Sequence, residues 1–352
     1  MNTGSCIDRD DAMESKFAQP HAARRGRKDM SEAPLLAMGE VHTALLQSSQ
    51  AVPLNLAAGL VGQPGGEQVR VYHRPIAHAG SPDVLTGIDC RLPTRTGTKS
   101  RGVGTVAARV SITGGHLLQS TARIRISTGP QNRRLGWSHY LTRPGHVELV
   151  GKGDAQDLAD GFTAEERDPQ TLDLGSVAAR LLNAVQRSDR LDRRAPLKAA
   201  RTTLRWVALP AADPSEVGGQ FAIERGGQRT LVVRCDPADL GVVGDFCDDV
   251  ALHDWLLATL LHLVEDGRNA ASDDLARIAR VRPAVEHLLH LWMPRARLTD
   301  AVSQLWRGLD DRPGMTRQWR SCVDRIRDQL TLGTLAQLAG RAGPEPQGEG
   351  ST

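Results

Sequence analysis

The sequence predicts an α+β protein: a β-rich N-terminal half with antiparallel hairpins, a central buried helix and a helical C-terminal half. Three observations carry that prediction. From Gly39 to Val150 the chain alternates apolar and polar residues between Gly-Gly and Pro-Gly turns. The stretch Asp236–Gly267 has the strongest helical pattern of the chain. Beyond it, amphipathic stretches are divided by Pro294 and Pro313.

Residues 1–34 carry mixed charge and few large apolar side chains, which predicts a disordered tail. Its basic run, Arg24, Arg25, Arg27 and Lys28, is balanced by acids, which weighs against a nucleic-acid arm. The bland alternative is an over-extended start, with Met30 or Met38 as the first residue.

Residues 35–152 read as a β-rich basic region. Val41–Leu46 and Val69–His73 are strand candidates, and Ser81–Val106 reads as loop-rich. The clearest hairpin joins Val103–Ile112 to Leu117–Ile126. A three-residue loop, Thr113–Gly115, would pair Val110 with Leu118 and keep one face apolar, with Gly115 left-handed. Its other face presents Arg109, Arg123 and Arg125. Trp137–Leu141 and Val147–Val150 read as a further hairpin about Arg143-Pro144-Gly145.

Residues 153–267 read as an α+β region. A connection begins near Asp154, and Leu172–Gln186 is helical. Arg201–Leu209, Phe221–Arg225 and Thr230–Cys235 are strands. Asp236-Pro237 starts a short turn, since proline's missing N–H costs nothing at a helix start. The main helix then runs from about Asp245 to a stop at Gly267. Val243, Phe246, Cys247, Val250, Leu257, Leu261 and Val264 form one apolar stripe, and Leu252, Trp255, Leu256 and Leu263 a second. A helix apolar on two sides must be covered from two directions. Residues 268–340 form a helical region, with helices over Ser272–Trp292, Leu298–Leu309 and Thr316–Leu330, and residues 341–352 a second disordered tail.

Among 44 basic residues lysine occurs only at positions 16, 28, 99, 152 and 198, a skew that high-GC coding explains more simply than phosphate binding. Five spaced cysteines give no disulfide framework and no Cys-x-x-Cys. No apolar run reaches membrane length and no signal peptide is recognisable, so the expectation is a soluble, cytoplasmic protein. Charge is segregated: residues 67–152 hold 13 Lys/Arg against four Asp/Glu, and residues 236–274 hold 10 Asp/Glu against one Arg. The simplest reading is that the two segments dock on each other.

Gly39–Ser49, Ser81–Gly97, Arg101–Val106 and Asp245–Leu257 resemble an uncharacterised actinobacterial family, over roughly residues 39–330. That family is encoded beside a variant P-loop protein and a methyltransferase. The resemblance implies protein partners and no established reaction.

Three constellations could carry chemistry. Asp249 and His253 lie four apart on the central helix, within reach of a carboxylate–imidazole contact. Asp254 lies near the apolar stripe, so its carboxylate must be paired or shifted in pKa, and an arginine from residues 91–125 is the expected partner. Together the three suggest a metal-dependent hydrolase. Gly97, Lys99, Arg101, Gly102 and Gly104 form a Gly-rich basic stretch that could cradle an anion or nucleotide, although Val103 occupies the lysine position of a P-loop. Glu286, His287 and His290 could ligate a metal, but the histidines point away from the apolar stripe and read as a solvated face. The basic sheet face has no interleaved aromatic, which weighs against nucleic acid. With no convergent catalytic set, the leading expectation is a non-catalytic interaction or scaffold protein acting with protein partners, without cofactor or metal.

Overall fold

The computed structural model describes residues 34–62, 68–129, 134–166, 168–270 and 274–341. Both predicted tails lie outside them, apart from Pro34 and Arg341. The fold is α+β, as the sequence predicts, with a mostly antiparallel sheet in the N-terminal half and helices gathered in the C-terminal half.

The sheet draws on two predicted regions. From the first come β1 (Leu36–Leu45), helix α1 (Leu54–Val61), β2 (Arg70–Tyr72), β3 (His78–Gly80), β4 (Val84–Arg91), β5 (Arg101–Thr113), β6 (Leu117–Thr128), helix α2 (Trp137–Leu141) and β7 (His146–Val150). From the second come helices α3 (Ala155–Thr163) and α4 (Leu174–Gln186) and strands β8 (Thr202–Pro210), β9 (Gly218–Ile223) and β10 (Arg229–Cys235). The strand order is β2-β3-β5-β7-β6-β1-β8-β10-β9, with β4 also paired to β5. Strand β4 falls in the segment read as loop, and α2 replaces a strand predicted over the same residues.

The β5–β6 hairpin turns through Gly114 and Gly115, at φ 60° and 70°, a left-handed backbone that glycine adopts without a Cβ penalty. Its three-residue loop is 114–116, so Val110 pairs with Ser120 and Ala108 with Ala122. This register differs by two residues from the expected one. A shift of two preserves the faces, because side chains alternate with period two.

Past Ala107 the two strands part and β7 wedges between them. It pairs antiparallel with Arg101–Gly104 and parallel with Arg125–Thr128. At the fork the Thr105 hydroxyl accepts from the Gly145 N–H at 3.0 Å and donates to the Arg143 carbonyl at 3.1 Å. The wedge brings backbones so close that a Cβ on Gly104 would stand 2.1 Å from the His146 carbonyl oxygen. Gly104→Ala is therefore expected to cost about 3 kcal/mol or more, the upper end of overpacking, read as a lowered urea midpoint. A variant as stable as the parent would mean that β7 does not sit in this wedge.

Every residue of β1 is buried, as a strand covered on both faces requires. Leu36 and Met38 pack with Leu158, Phe162, Leu174 and Ala178 of α3 and α4. Ala37 and Val41 pack with the opposite layer, where Val243, Phe246, Cys247 and Val250 meet Trp206 and Trp306.

That layer is led by α5 (Val243–Ala270), which follows a short turn at Pro237–Gly241 capped by the Asp236 carboxylate on the Ala238 N–H. At about 1.5 Å per residue its 28 residues span about 42 Å, enough to outrun the sheet. Its first half covers β1 and β8; Trp255, Leu256, Leu260 and Val264 in its second half pack on α6 (Asp274–His287) and α9 (Met315–Arg341). The expected stop at Gly267 is overrun to Ala270. Between α6 and α9 lie α7 (Asp300–Ser303) and α8 (Leu305–Asp311), where one helix was expected. Among the described residues no helix is long and apolar enough to cross a membrane.

Candidate functional site

The opposed charges of the sequence meet at the start of α5. Asp245, Asp248 and Asp249 occupy its first two turns, where the helix dipole favours acids. Arg109 from β5 donates to Asp248 Oδ2 at 2.6 Å and also to Asp245. The Thr121 hydroxyl donates to Asp248 Oδ1 at 2.6 Å, and the Gln119 amide to the Asp248 carbonyl at 3.0 Å. Arg123 lies 3.5 Å from Asp83 and 3.6 Å from Asp245. Burial alone would favour the neutral form of Arg109, but Asp248 and Asp245 outweigh it and hold the guanidinium charged. Burial likewise pushes the Asp245 carboxyl up, yet Arg109, Arg123 and Arg70 bring it below its ordinary value. The face of Arg109 and Arg123 is thus occupied by the chain's own acids.

Beside this cluster a cavity of about 370 Å³ opens between the β2–β3 edge, the start of α5 and the segment before α7. Arg70, Tyr72, Arg74 and His78 line one side, Arg109, Asp245, Asp248 and Asp249 another, and Arg297 and Leu298 close it. Arg297 Nη1 donates to His78 Nδ1 at 2.6 Å. A guanidinium can only donate, so His78 Nδ1 is the acceptor and its ring proton sits on Nε2. Burial, then the charges of Arg297 and Arg109, lower His78 to about 3, so the imidazole is neutral. Burial also lowers Arg297, against the pull of Asp249 and Asp248.

The charges lining the cavity do not balance. Arg109 takes Asp245 and Asp248, and Asp249 Oδ2 accepts the Arg295 N–H at 3.0 Å. Arg70, Arg74 and Arg297 form no ion pair within 4.0 Å with another described residue. Arg297 hydrogen-bonds only the neutral His78 and Thr113. Four guanidiniums against three carboxylates leave the lining with a net positive charge of one.

Asp249, His253 and Asp254 do not converge. His253 Nδ1 donates to the Asp249 carbonyl at 2.7 Å and lies 3.6 Å from its carboxylate. The ring is 1% exposed, edge-on to Trp292 and Trp306 at 4.9 and 5.2 Å between centroids. Burial lowers its pKa despite Asp249, so it is a sealed, neutral imidazole that no substrate reaches. Asp254 stands five residues on from Asp249, about 140° around the helix. It pairs with Arg229 of β10 rather than with an arginine of residues 91–125. No hydrolytic constellation is assembled by these three.

Residues 97–104 are divided between an exposed loop and the start of β5. Asp157 of α3 accepts from both the Thr96 N–H and its hydroxyl at 2.9 Å, fastening the loop to that helix. Gly97 and Lys99 lie on the exposed part of the loop. Arg101 opens β5 and pairs with Asp89 at 2.6 Å. Gly102 and Gly104 sit inside that strand, paired with Leu149 and Val147 of β7, so the ladder uses their backbone. Gly102 and Gly104 serve the close approach of strands.

Glu286 pairs with Arg282, and His287 packs edge-on against the buried His116 at 4.5 Å. Among the described residues no three metal-ligating side chains are grouped to hold an ion. The cavity residues Arg70, Tyr72, Arg74, His78 and Arg297 carry no motif or spacing; the excess of positive charge in residues 67–152 foreshadowed Arg70 and Arg74, and nothing foreshadowed Arg297. Comparison with protein families, with curated proteins and with solved structures finds no match for this chain.

Proposed function

We propose that the chain is a binding protein for a small anionic molecule, held in the cavity between the β2–β3 edge and α5. The observation that carries this reading is the set of three guanidiniums, Arg70, Arg74 and Arg297, lining one cavity with no carboxylate of a described residue within 4.0 Å. A bound anion would supply charge-assisted hydrogen bonds that the protein leaves unmade. The volume falls in the range of small-molecule pockets.

Thermal unfolding with and without pyrophosphate tests it. A ligand of the native state at one hundred times its Kd adds about 2.7 kcal/mol, a rise of several degrees in Tm. Arg297→Gln is expected to abolish that rise. No rise with pyrophosphate, or one that survives Arg297→Gln, would sink the reading.

A second reading, action with a protein partner, is supported by Leu332, Leu335 and Leu338 of α9. They are 64%, 56% and 57% exposed at three-residue spacing, the anchors with which an amphipathic helix enters a partner's groove. Leu335→Glu would then abolish co-purification of a partner while leaving pyrophosphate binding intact; unchanged co-purification would remove this stripe as the docking element.

A further inference from the structure

Resting on the anion-binding reading, we infer that the ligand of this cavity is a nucleoside monophosphate, its phosphate among Arg70, Arg74 and Arg297 and its base against Tyr72. A bare anion would satisfy only part of the site. Three carboxylates, Asp245, Asp248 and Asp249, share the lining with the guanidiniums, and a ligand that is charge alone offers their oxygens no donor. A ligand with an anionic end and a body rich in hydroxyl donors matches both signs. The Asp245 side chain is 49% exposed, so its carboxylate has room to accept from a sugar hydroxyl. The neutral His78, its proton fixed on Nε2 by Arg297, adds a donor whose charge state does not change near neutral pH.

Tyr72 supplies the reason for a base. It is 52% exposed on the edge strand β2, between the two mouth arginines in sequence, and it lines the cavity. Its ring lies 6.1 Å from that of His78, tilted by 38°, so the imidazole buttresses it without covering it in a stack. A tyrosine half in solvent in a cavity that guanidiniums also line offers a π-face on which a base can stack. Stacking of this kind strengthens binding roughly tenfold or more per base.

Isothermal titration of the full chain with AMP, GMP, CMP and UMP, each compared with ribose 5-phosphate and with phenylalanine, tests the inference. At least one monophosphate is expected to bind tenfold or more tightly than ribose 5-phosphate. Tyr72→Ala, a change at an exposed edge that should leave the Tm of the free protein unaltered, is expected to erase that gap and leave ribose 5-phosphate binding in place. Arg297→Gln is expected to weaken both. Equal binding of ribose 5-phosphate and every monophosphate would overturn the base-binding role of Tyr72 while the anion-binding reading stands. Binding of phenylalanine with none of the monophosphates would overturn the inference in favour of an aromatic zwitterion. If neither phosphorylated ligand nor pyrophosphate binds, the inference and the reading beneath it fall together.

Discussion

Asp254→Ala is expected to destabilise the fold by about 3–5 kcal/mol, because it strands a buried guanidinium. Asp254 is 4% exposed on α5, and its only described charge partner is Arg229, whose side chain is 16% exposed. Asp254→Asn keeps the shape and one acceptor, so it should cost less. The pair is nonetheless an expensive way to fill this space. Burial outweighs Arg229 and leaves the Asp254 carboxyl above its ordinary value of 3.8. A raised folded pKa contributes stability that is full below the unfolded value and lost as pH rises through the folded one. At neutral pH the ionised carboxylate is therefore a net burden that its partner only partly relieves. Replacing both members together, Asp254→Leu with Arg229→Met, should be neutral or stabilising, as for other buried pairs exchanged for apolar side chains of similar volume. Urea unfolding of the two single variants and the double variant measures this as a cycle. Additive losses in the double variant would show that the two side chains do not act as a pair.

The burial of Asp254 was legible from the helical wheel, whereas its partner was not, since Arg229 reaches it from a strand and no local pattern encodes that meeting. The same division runs through the fold. The start of α5 was legible because capping is local chemistry: Asp236, Pro237 and the acids that follow act within one or two turns. The hairpin faces were legible because period two fixes them whatever the turn length. Local signals failed where tertiary packing overrides propensity. Trp137–Leu141 has strand-forming aromatics, yet it forms a helical turn that buries Tyr140, with its hydroxyl on the Leu135 N–H. Strand β4 carries Thr86, Gly87 and Asp89, of which Gly and Asp are poor strand formers, and is nowhere fully buried, so its strand signal is weak. Gly267 stays helical where packing on α6 and α9 stabilises the second half of α5 beyond its propensity. The docking of the basic and acidic segments was legible from charge alone, but the cavity was not. Its residues come from 70–81, 109–119, 245–249 and 296–298, and only the folded chain makes them neighbours.

Acid should begin to destabilise this protein above the pH at which its carboxylates titrate. Besides the sealed His253, three histidines are held neutral by their surroundings. His116 is 2% exposed; burial first, then His287 and His290, lower it to about 4. His146, whose Nε2 lies 2.7 Å from the Ser127 hydroxyl, falls to about 4 through burial and then Arg125 and Arg143, against the opposing pull of Glu148. His78 falls to about 3. In the unfolded chain each returns to about 6.5. A depressed folded pKa contributes stability that is present above the unfolded value and lost as pH falls through the folded one. Between pH 6 and pH 4.5 the unfolded chain therefore binds close to one more proton per histidine than the fold does. Each such proton tilts stability by about 1.4 kcal/mol per pH unit, so three give about 4 kcal/mol per unit. Against a typical stability of about 5–15 kcal/mol, that slope brings unfolding to about pH 4–5. Urea midpoints measured from pH 7 to pH 4.5 should fall steeply. In His116→Gln, which cannot titrate, the slope should fall by about 1.4 kcal/mol per pH unit, whatever the substitution itself costs at pH 7. A flat profile over that range would mean that these imidazoles accept protons in the fold as readily as in the open chain, and that they are not buried as described.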